Sequence, residues 1–285
     1  MTKPMHLLSL GGGVQSSTLA LMAAHGEVSG LPTPAAAIFA DTQDEPDSVY
    51  QWLDWLEGAI AAAPHPFPVH RVTAGRLSTN SLKMKRTKDG RLFSSSHIPV
   101  FTRNANGSQG KVTNRSCTRD FKIYPILKHA RKLAKVPRKR LVDNEVHVIQ
   151  WIGISLDEIY RMKPSRDWWA ENTWPLVDMR MSRHDCKLWM QRKGYPEPPR
   201  SSCVFCPFHN NHEWRRLRDH EPEAWQRAVE FEKSLQAAKA STDNFNTTPF
   251  LHRSCVPLDQ VDLTTEEDAG QLNLFNNECT GMCGV

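Results

Sequence analysis

The chain has no apolar run approaching the roughly 20 residues that a membrane-spanning helix needs, so no membrane association is expected. It also lacks a positively charged N-terminal stretch leading into an apolar core, the pattern of a secretory signal. A cytoplasmic location is expected, and thiols stay reduced there. The cysteines number seven, an odd count that favours metal or thiol chemistry over a disulfide framework. There are no internal repeats. The 39% hydrophobic and 24% charged residues are the mix of a folded globular protein. The 285 residues suffice for one large α/β domain, or one domain and an appendage.

Residues 7–10 (LLSL) form a short apolar run that stops at Gly11, Gly12 and Gly13. Ser16, Ser17 and Thr18 then lead into a second apolar run at 19–24. This is the order of a buried strand, a glycine turn and a helix start. Glycines let a backbone approach a ligand closely, and a helix N-terminus offers unpaired N–H groups with about half a positive charge. The stretch is therefore a candidate anion site. It has neither the Lys-Ser/Thr of a Walker loop nor the spacing of a dinucleotide fingerprint, and a plain strand-to-helix turn is the alternative.

Residues 35–40 (AAAIFA) predict a second strand ending at Asp41. Residues 47–62 predict a helix, with Val49, Trp52, Leu53, Leu56 and Ile60 at helical spacing, and 66–72 a third strand. The alternation predicts a parallel sheet with helices on its faces. Residues 146–154 (VHVIQWIGI) are the strongest strand, 155–161 a loop and 174–177 a short extended segment. Helices are expected over 120–135, 183–193 and 211–238, the last broken near Pro222. Residues 76–115 are polar, basic and aperiodic, and are read as a mobile insertion over the site. The expected organisation is an α/β domain over 1–180, a helical segment over 181–240 and a flexible polar tail over 241–285.

The net charge of +5 is uneven, with dense basic stretches at 83–91 and 128–140. These are either solvated faces or a surface for a polyanion such as nucleic acid. Asp41 ends the second strand, where ligands bind in open parallel sheets. It is a candidate for a ribose hydroxyl or a magnesium ion, or else a solvated cap. Cys203-Val-Phe-Cys206-Pro207 lets two sulfurs face one zinc ion or iron–sulfur cluster, with thiol redox chemistry as the alternative. Cys117 and Cys186, both near expected helix starts, are candidates for the other ligands, and a buried structural thiol is the alternative for Cys186. Cys279 and Cys283 lie on the last seven residues, as swinging thiols, extra ligands or unimportant tail cysteines. Arg115, Arg119, Lys122, Arg161 and Lys163 are candidate phosphate or sulfate ligands, or solvated cations. Trp168, Trp169 and Trp174 pack a core or stack on a base.

Taken in order, these segments resemble the sulfonucleotide reductase branch of the PP-loop (adenine nucleotide α-hydrolase-like) superfamily. Residues 9–17 look like its phosphate loop, with Gln15 where the ATP-using members keep an acid. IFADTQDEPDS at 38–48 is similar to the family's strand-Asp-Thr-Gly segment with Pro-Glu-Thr following. CTRDFKIYP at 117–125 looks like the cysteine segment of the cluster-bearing members followed by Lys-x-x-Pro. GISLDE at 153–158 with Arg161 resembles their Gly-Ile-Arg-x-Asp turn. Pro175-Leu176, the helix at Arg183, Gly194-Tyr195-Pro196 and Ser202-Cys203-x-x-Cys206-Pro207 follow the run to the second cysteine pair. Glu278-Cys279-x-Gly281 is similar to their mobile, reactive tail.

The resemblance implies a HUP-like (Rossmann-like) α/β fold, with a five-stranded parallel sheet, helices on both faces and a cysteine-rich C-terminal segment. It implies ATP or an adenylylated sulfate, with Mg2+, held by Ser9, Gly11, Gly12, Gly13, Gln15, Ser16, Ser17, Asp41, Lys122, Gly153 and Arg161. It also implies a [4Fe–4S] cluster on Cys117, Cys203 and Cys206, with zinc as the alternative, and catalysis by Cys279, Cys283 and Asp41. Ser116-Cys117 replaces the family's adjacent cysteine pair, so Cys186 becomes the fourth ligand. The insertion and the second tail cysteine also depart from the pattern. Cluster-bearing relatives put sulfur into DNA or tRNA, and the single Cys117 and basic insertion are nearer that side. The expected function is therefore iron–sulfur-dependent sulfur transfer to, or modification of, a nucleic acid, with a thiol reductant or sulfur-donor protein as partner. The alternatives are a sulfonucleotide reductase releasing sulfite and a non-catalytic zinc protein that binds nucleic acid.

Overall fold

The computed structural model describes residues 3–94, 96–104, 106–110, 112–113, 115–137, 145–242, 247–265 and 268. The chain opens with β1 (Met5–Leu10), α1 (Val14–Ala24), β2 (Ala36–Asp41), α2 (Asp47–Ala61) and β3 (Val69–Thr73). It continues through α3 (Leu77–Ser81), β4 (Met84–Arg86), β5 (Leu92–Ser94) and β6 (Phe101–Asn104). A π-helical turn, Thr118–Ile123, then runs into α4 (Tyr124–Leu133). β7 (Val148–Ile152), β8 (Ala170–Thr173), α5 (Pro175–Asp178), α6 (Arg183–Arg192), α7 (Asn211–His220), α8 (Pro222–Ala240) and β9 (Thr247–Phe250) complete the described elements.

Five strands form one parallel sheet in the order β3-β2-β1-β7-β8. Its central strands β1, β2 and β7 are largely apolar and buried, as parallel strands covered on both faces must be, whereas the edge strands β3 and β8 are more polar and partly exposed. Leu8 and Leu10 of β1, with Ala37 and Phe39 of β2, pack with residues of α1, α2 and α6. The alternate residues Leu7, Ala36, Ile38 and Ala40 pack with Ile126 and Ala130 of α4 on the other face. The chain builds outward from β1 to β3, then returns to the opposite side of β1 for β7. This reversal opens a crevice at the carboxyl ends of β1 and β7, the place where such sheets bind ligands.

Local chemistry sets the element ends. At α6 the Ser182 Oγ accepts from the Asp185 N–H (3.1 Å), while the Ser182 N–H donates to Asp185 Oδ2 (2.9 Å), a capping box. Pro222 opens α8 at a position needing no N–H, so α7 and α8 meet at Glu221 and do not run through. Among the described residues no helix is long and apolar enough to cross a membrane.

Several expectations differ from the structure. Residues 174–177, expected as a short extended segment, form no strand, and the fifth strand is Ala170–Thr173. Pro175 opens a helical turn there, with Trp174 as its N-cap at φ −127° and ψ 72°. Residues 155–161, expected as a loop, include a 3-10 turn over Leu156–Arg161. The stretch 76–115 carries defined structure in its described parts. β4 and β5 form an antiparallel hairpin, and β6 pairs antiparallel with β9, so the tail 241–285 is also structured over that strand. Leu77, Ile98 and Val100 join α7, α8 and Leu251 in a second apolar cluster. β6 and the cluster residues carry no local signal because their partners lie far along the chain, in β9, α7 and α8.

Candidate active site

The glycine turn is shaped for a close approach. Gly12 has φ +76°, and a Cβ there would stand 3.4 Å from both Phe39 and Ser201. Gly13 caps α1 with extended backbone, no side chain caps the helix, and its first turn holds no acid. The leading N–H groups of α1 are thus open to an anion. Ser16 Oγ accepts from the Gly11 N–H (3.1 Å) and donates to the Gly13 carbonyl (3.3 Å), closing the loop on itself. From the neighbouring strand, Gly153 packs directly on this turn. A Cβ on Gly153 would lie 2.8 Å from Ser16 Cα and 2.9 Å from Ser16 N. Backbone atoms cannot yield as a flexible side chain can, so only glycine fits.

In front of the turn lies a cavity of about 640 Å³, within the range of small-molecule and cofactor sites. Ser9, Gly11, Gly13, Gln15, Ser16, Lys122, Gly153 and Arg161 all line it. Gly12 does not line it. Ser17 does not reach it, because its Oγ accepts from Trp52 Nε1 (3.1 Å) in the core. The wall is strongly basic, with Arg119, Lys163, Arg166, Arg183 and Arg200 beside Lys122 and Arg161. Of its two carboxylates, Asp167 and Glu158, the latter is paired with Arg161 at 2.7 Å. Phe39, Ala40, Ile126 and Leu127 supply an apolar side. Trp174 Nε1 and Ser201 Oγ are buried wall atoms with no hydrogen-bond partner among the described residues. Such groups are costly unless a ligand or water satisfies them.

Arg183 is the wall residue that sequence reading missed most clearly. Its Nη1 donates to Gln15 Oε1 (3.3 Å), while Gln15 Nε2 donates to Ser155 Oγ (3.4 Å). The Arg183 N–H donates to both oxygens of Asp157. The first residue of α6 is thereby fixed against the first turn of α1. Only tertiary contact reveals this; Ser182 before it signals a helix cap and nothing more.

Asp41 does not line the cavity. Its Oδ1 accepts from the Gln43 N–H (2.7 Å) and from the Tyr50 hydroxyl (2.9 Å), holding the turn after β2. Burial, and then the Asp41 carboxylate, push the Tyr50 hydroxyl above the usual range. A different acid occupies the interior. Glu45 is 0% exposed, and its Oε1 stands 3.3 Å from Lys122 Nζ.

Lys122 also lines a second, small cavity of about 40 Å³, together with Cys117, Cys203 and Cys206. Thr42 Oγ1 is 3.2 Å from Cys203 Sγ. Burial and the Glu45 charge push the Cys203 thiol well up. Burial also raises Cys117, against the opposing charges of Arg115 and Lys122. Protonated, buried thiols are poor nucleophiles, whereas a thiophilic metal displaces their protons outright. By donor chemistry the three sulfurs fit a thiophilic metal ion or an iron–sulfur cluster. Among the described residues, however, no three metal-ligating side chains already stand at coordinating positions.

Cys186 does not join the other three. It lies at 0% exposure on the face of α6 that carries Trp189 and Met190 into the core against α1. Burial, with Asp157 and Asp185, pushes its thiol up to about 12. Cys255 is also elsewhere, with its Sγ 3.5 Å from the Thr102 carbonyl. Cys279 and Cys283 lie outside the described residues.

The fold is Rossmann-like. No protein-family model matches the chain, and no curated protein sequence matches it significantly. A glycine turn at a helix N-terminus, a basic wall and an apolar side suit a ligand with phosphate or sulfate at one end and a flat apolar ring at the other.

Proposed function

We propose that the chain is a PP-loop-type enzyme that binds an adenine nucleotide in the basic cavity and uses it to install sulfur in a nucleic acid. The observation that carries this reading is the cavity at the carboxyl ends of β1 and β7, with Gly153 seated on the first turn of α1 and seven basic residues on its wall. In this reading the open N–H groups of the turn and Arg183 bind the phosphates. Lys122 and Arg161 neutralise charge as it moves onto the leaving group. Phe39 and Ile126 flank the base. ATP adenylates an oxygen of the target and releases pyrophosphate. A persulfide, formed on a cysteine by transfer of sulfane sulfur from the persulfide of a sulfur-donor protein, then attacks the activated carbon and displaces AMP, and a thiol reductant cleaves the resulting sulfur–sulfur bond. Cys279 and Cys283 are the proposed sulfur carriers.

Cys117, Cys203 and Cys206 are the proposed metal ligands. A [4Fe–4S] cluster would supply redox chemistry or a sulfur-binding iron there, and zinc would supply structure. The small cavity favours a single ion, which keeps zinc as the second reading. Metal analysis of anaerobically purified protein is expected to show that Cys203→Ala loses the metal. Cys186→Ala is expected to keep it, at the cost of about 1 kcal/mol or more from a core void. Loss of metal from Cys186→Ala alone would place that residue in the site.

A second functional reading is the sulfonucleotide reductase. It is favoured by Gln15 at the acidic position of the loop, held there by Arg183, and by Asp41 facing away from the cavity. Both features reduce the carboxylate available for Mg2+. The two readings separate in one assay. AMP and pyrophosphate formation from ATP only when DNA or RNA is present is the expected result. Sulfite release from an adenylylated sulfate with a dithiol, and no such nucleic-acid dependence, would transfer the assignment to the reductase.

A further inference from the structure

The β4–β5 hairpin takes no part in either cavity, and its composition is unusual for this chain. Between Lys83 and Arg91 it carries five cations, Lys83, Lys85, Arg86, Lys88 and Arg91, against one acid, Asp89. All five are exposed. Arg91 is ion-paired with Asp89 at 2.6 Å. Among the described residues no carboxylate pairs with the other four; Lys83 Nζ donates only to the Asn80 side-chain oxygen, and Arg86 to the Gly90 carbonyl. The strand register sets the faces. Lys85 stands opposite Phe93, and Arg86 opposite Leu92. Side chains alternate along a strand, so Lys85 and Phe93 share one face, while Arg86 shares the other with half-buried Met84 and Leu92. Phe93 is 38% exposed, one of the few large apolar side chains left to solvent.

The hairpin is also anchored. It leaves α3, whose Leu77 lines the thiol cavity, and Leu82 packs on the second apolar cluster. β5 packs on α8. The basic, aromatic face is thus attached to the wall of the proposed chemistry and not to a remote surface.

We infer that this hairpin grips a single-stranded segment of nucleic acid, its cations on the phosphates and Phe93 stacked on a base. The inference rests on the nucleic-acid reading above and names where that substrate is held. Unpaired cations and an exposed ring are the two elements of single-strand binding surfaces. A stacked ring needs an unpaired base, which a closed duplex does not offer. Ammonium, guanidinium and phenyl groups recognise no sugar hydroxyl, so the surface does not distinguish DNA from RNA.

The test is fluorescence anisotropy with the full chain and labelled oligothymidylate, oligouridylate and a duplex, each across a salt series. The two single strands are expected to bind within about threefold of each other and the duplex more weakly. In Lys85→Gln/Lys88→Gln the slope of log affinity against log salt should shrink by about 1.4, since each lost contact to a single strand removes about 0.7. Phe93→Ala should weaken binding about tenfold with the slope unchanged. Both variants should bind ATP as the unmodified chain does, which shows that they are folded. Single-strand binding that the variants leave intact would overturn the hairpin assignment while the nucleic-acid reading stands. Preference for the duplex, or strong preference for one sugar, would overturn the single-strand inference. Absence of any nucleic-acid binding would overturn both.

Discussion

Gly153→Ala is expected to weaken ATP binding about a hundredfold and to destabilise the fold by about 1–3 kcal/mol. The added methyl would meet Ser16 Cα at 2.8 Å and Ser16 N at 2.9 Å, both backbone atoms of the glycine turn and the start of α1. Relief requires β7 and the start of α1 to move apart, and overpacking of this kind costs about 1–3 kcal/mol. The same movement displaces the N–H groups aimed at the ligand, and a misplacement of about 1 Å can cost about a hundredfold in a positioned site. Gly58→Ala makes the identical chemical change in the middle of α2, where nothing lies within 4 Å of the new Cβ. It should stabilise the protein by about 0.5–1 kcal/mol through helix propensity. Thermal melts and calorimetric titrations of the two variants separate the steric cause from glycine loss in general. Wild-type affinity in Gly153→Ala would remove the close packing of β7 on the turn as a requirement.

Lys122→Met should be the most destabilising single change at the site, by about 3–5 kcal/mol. Its ammonium stands 3.3 Å from a carboxylate whose side chain is 0% exposed, while the lysine side chain is 21% exposed. Removing the lysine leaves the Glu45 charge buried and uncompensated. Removing the charge of the acid instead, with Glu45→Gln, leaves a cation that reaches water, and should cost less. The double variant Lys122→Met/Glu45→Gln should recover part of the loss, with a coupling of about 1 kcal/mol or more in a denaturant-based double-mutant cycle. Additive losses, or a Lys122→Met cost below about 1 kcal/mol, would show that the pair is not the buried bridge between the two cavities.

The sheet and its glycine turn were legible because each rests on local signals. Apolar runs bounded by Gly11 and by Pro46 mark β1, β2 and α2, and the alternation fixes a parallel sheet. β8 was not legible, since Ala-Glu-Asn-Thr carries no strand pattern and exists through its pairing with Val148–Trp151. The distinction between Cys186 and the other cysteines was present in the spacing. Cys186, Trp189 and Met190 form one helical stripe, and that stripe faces the core. Asp41 stands at the expected strand end, but its carboxylate is held by the Gln43 N–H and the Tyr50 hydroxyl and does not line the cavity. Glu45, Arg183 and Ser201 gain their meaning only from residues far along the chain, and no local pattern marks them.

In the proposed reading the basic cavity holds an adenine nucleotide by its phosphates. Calorimetric titration of the full chain with ATP and with adenosine, repeated on Arg183→Ala, tests this. Micromolar binding of ATP, adenosine weaker by about a hundredfold, and a loss of about tenfold or more for ATP alone in Arg183→Ala are expected, as for charge-assisted contacts to phosphate. Equal affinity for ATP and adenosine, or ATP binding that Arg183→Ala leaves unchanged, would contradict the assignment.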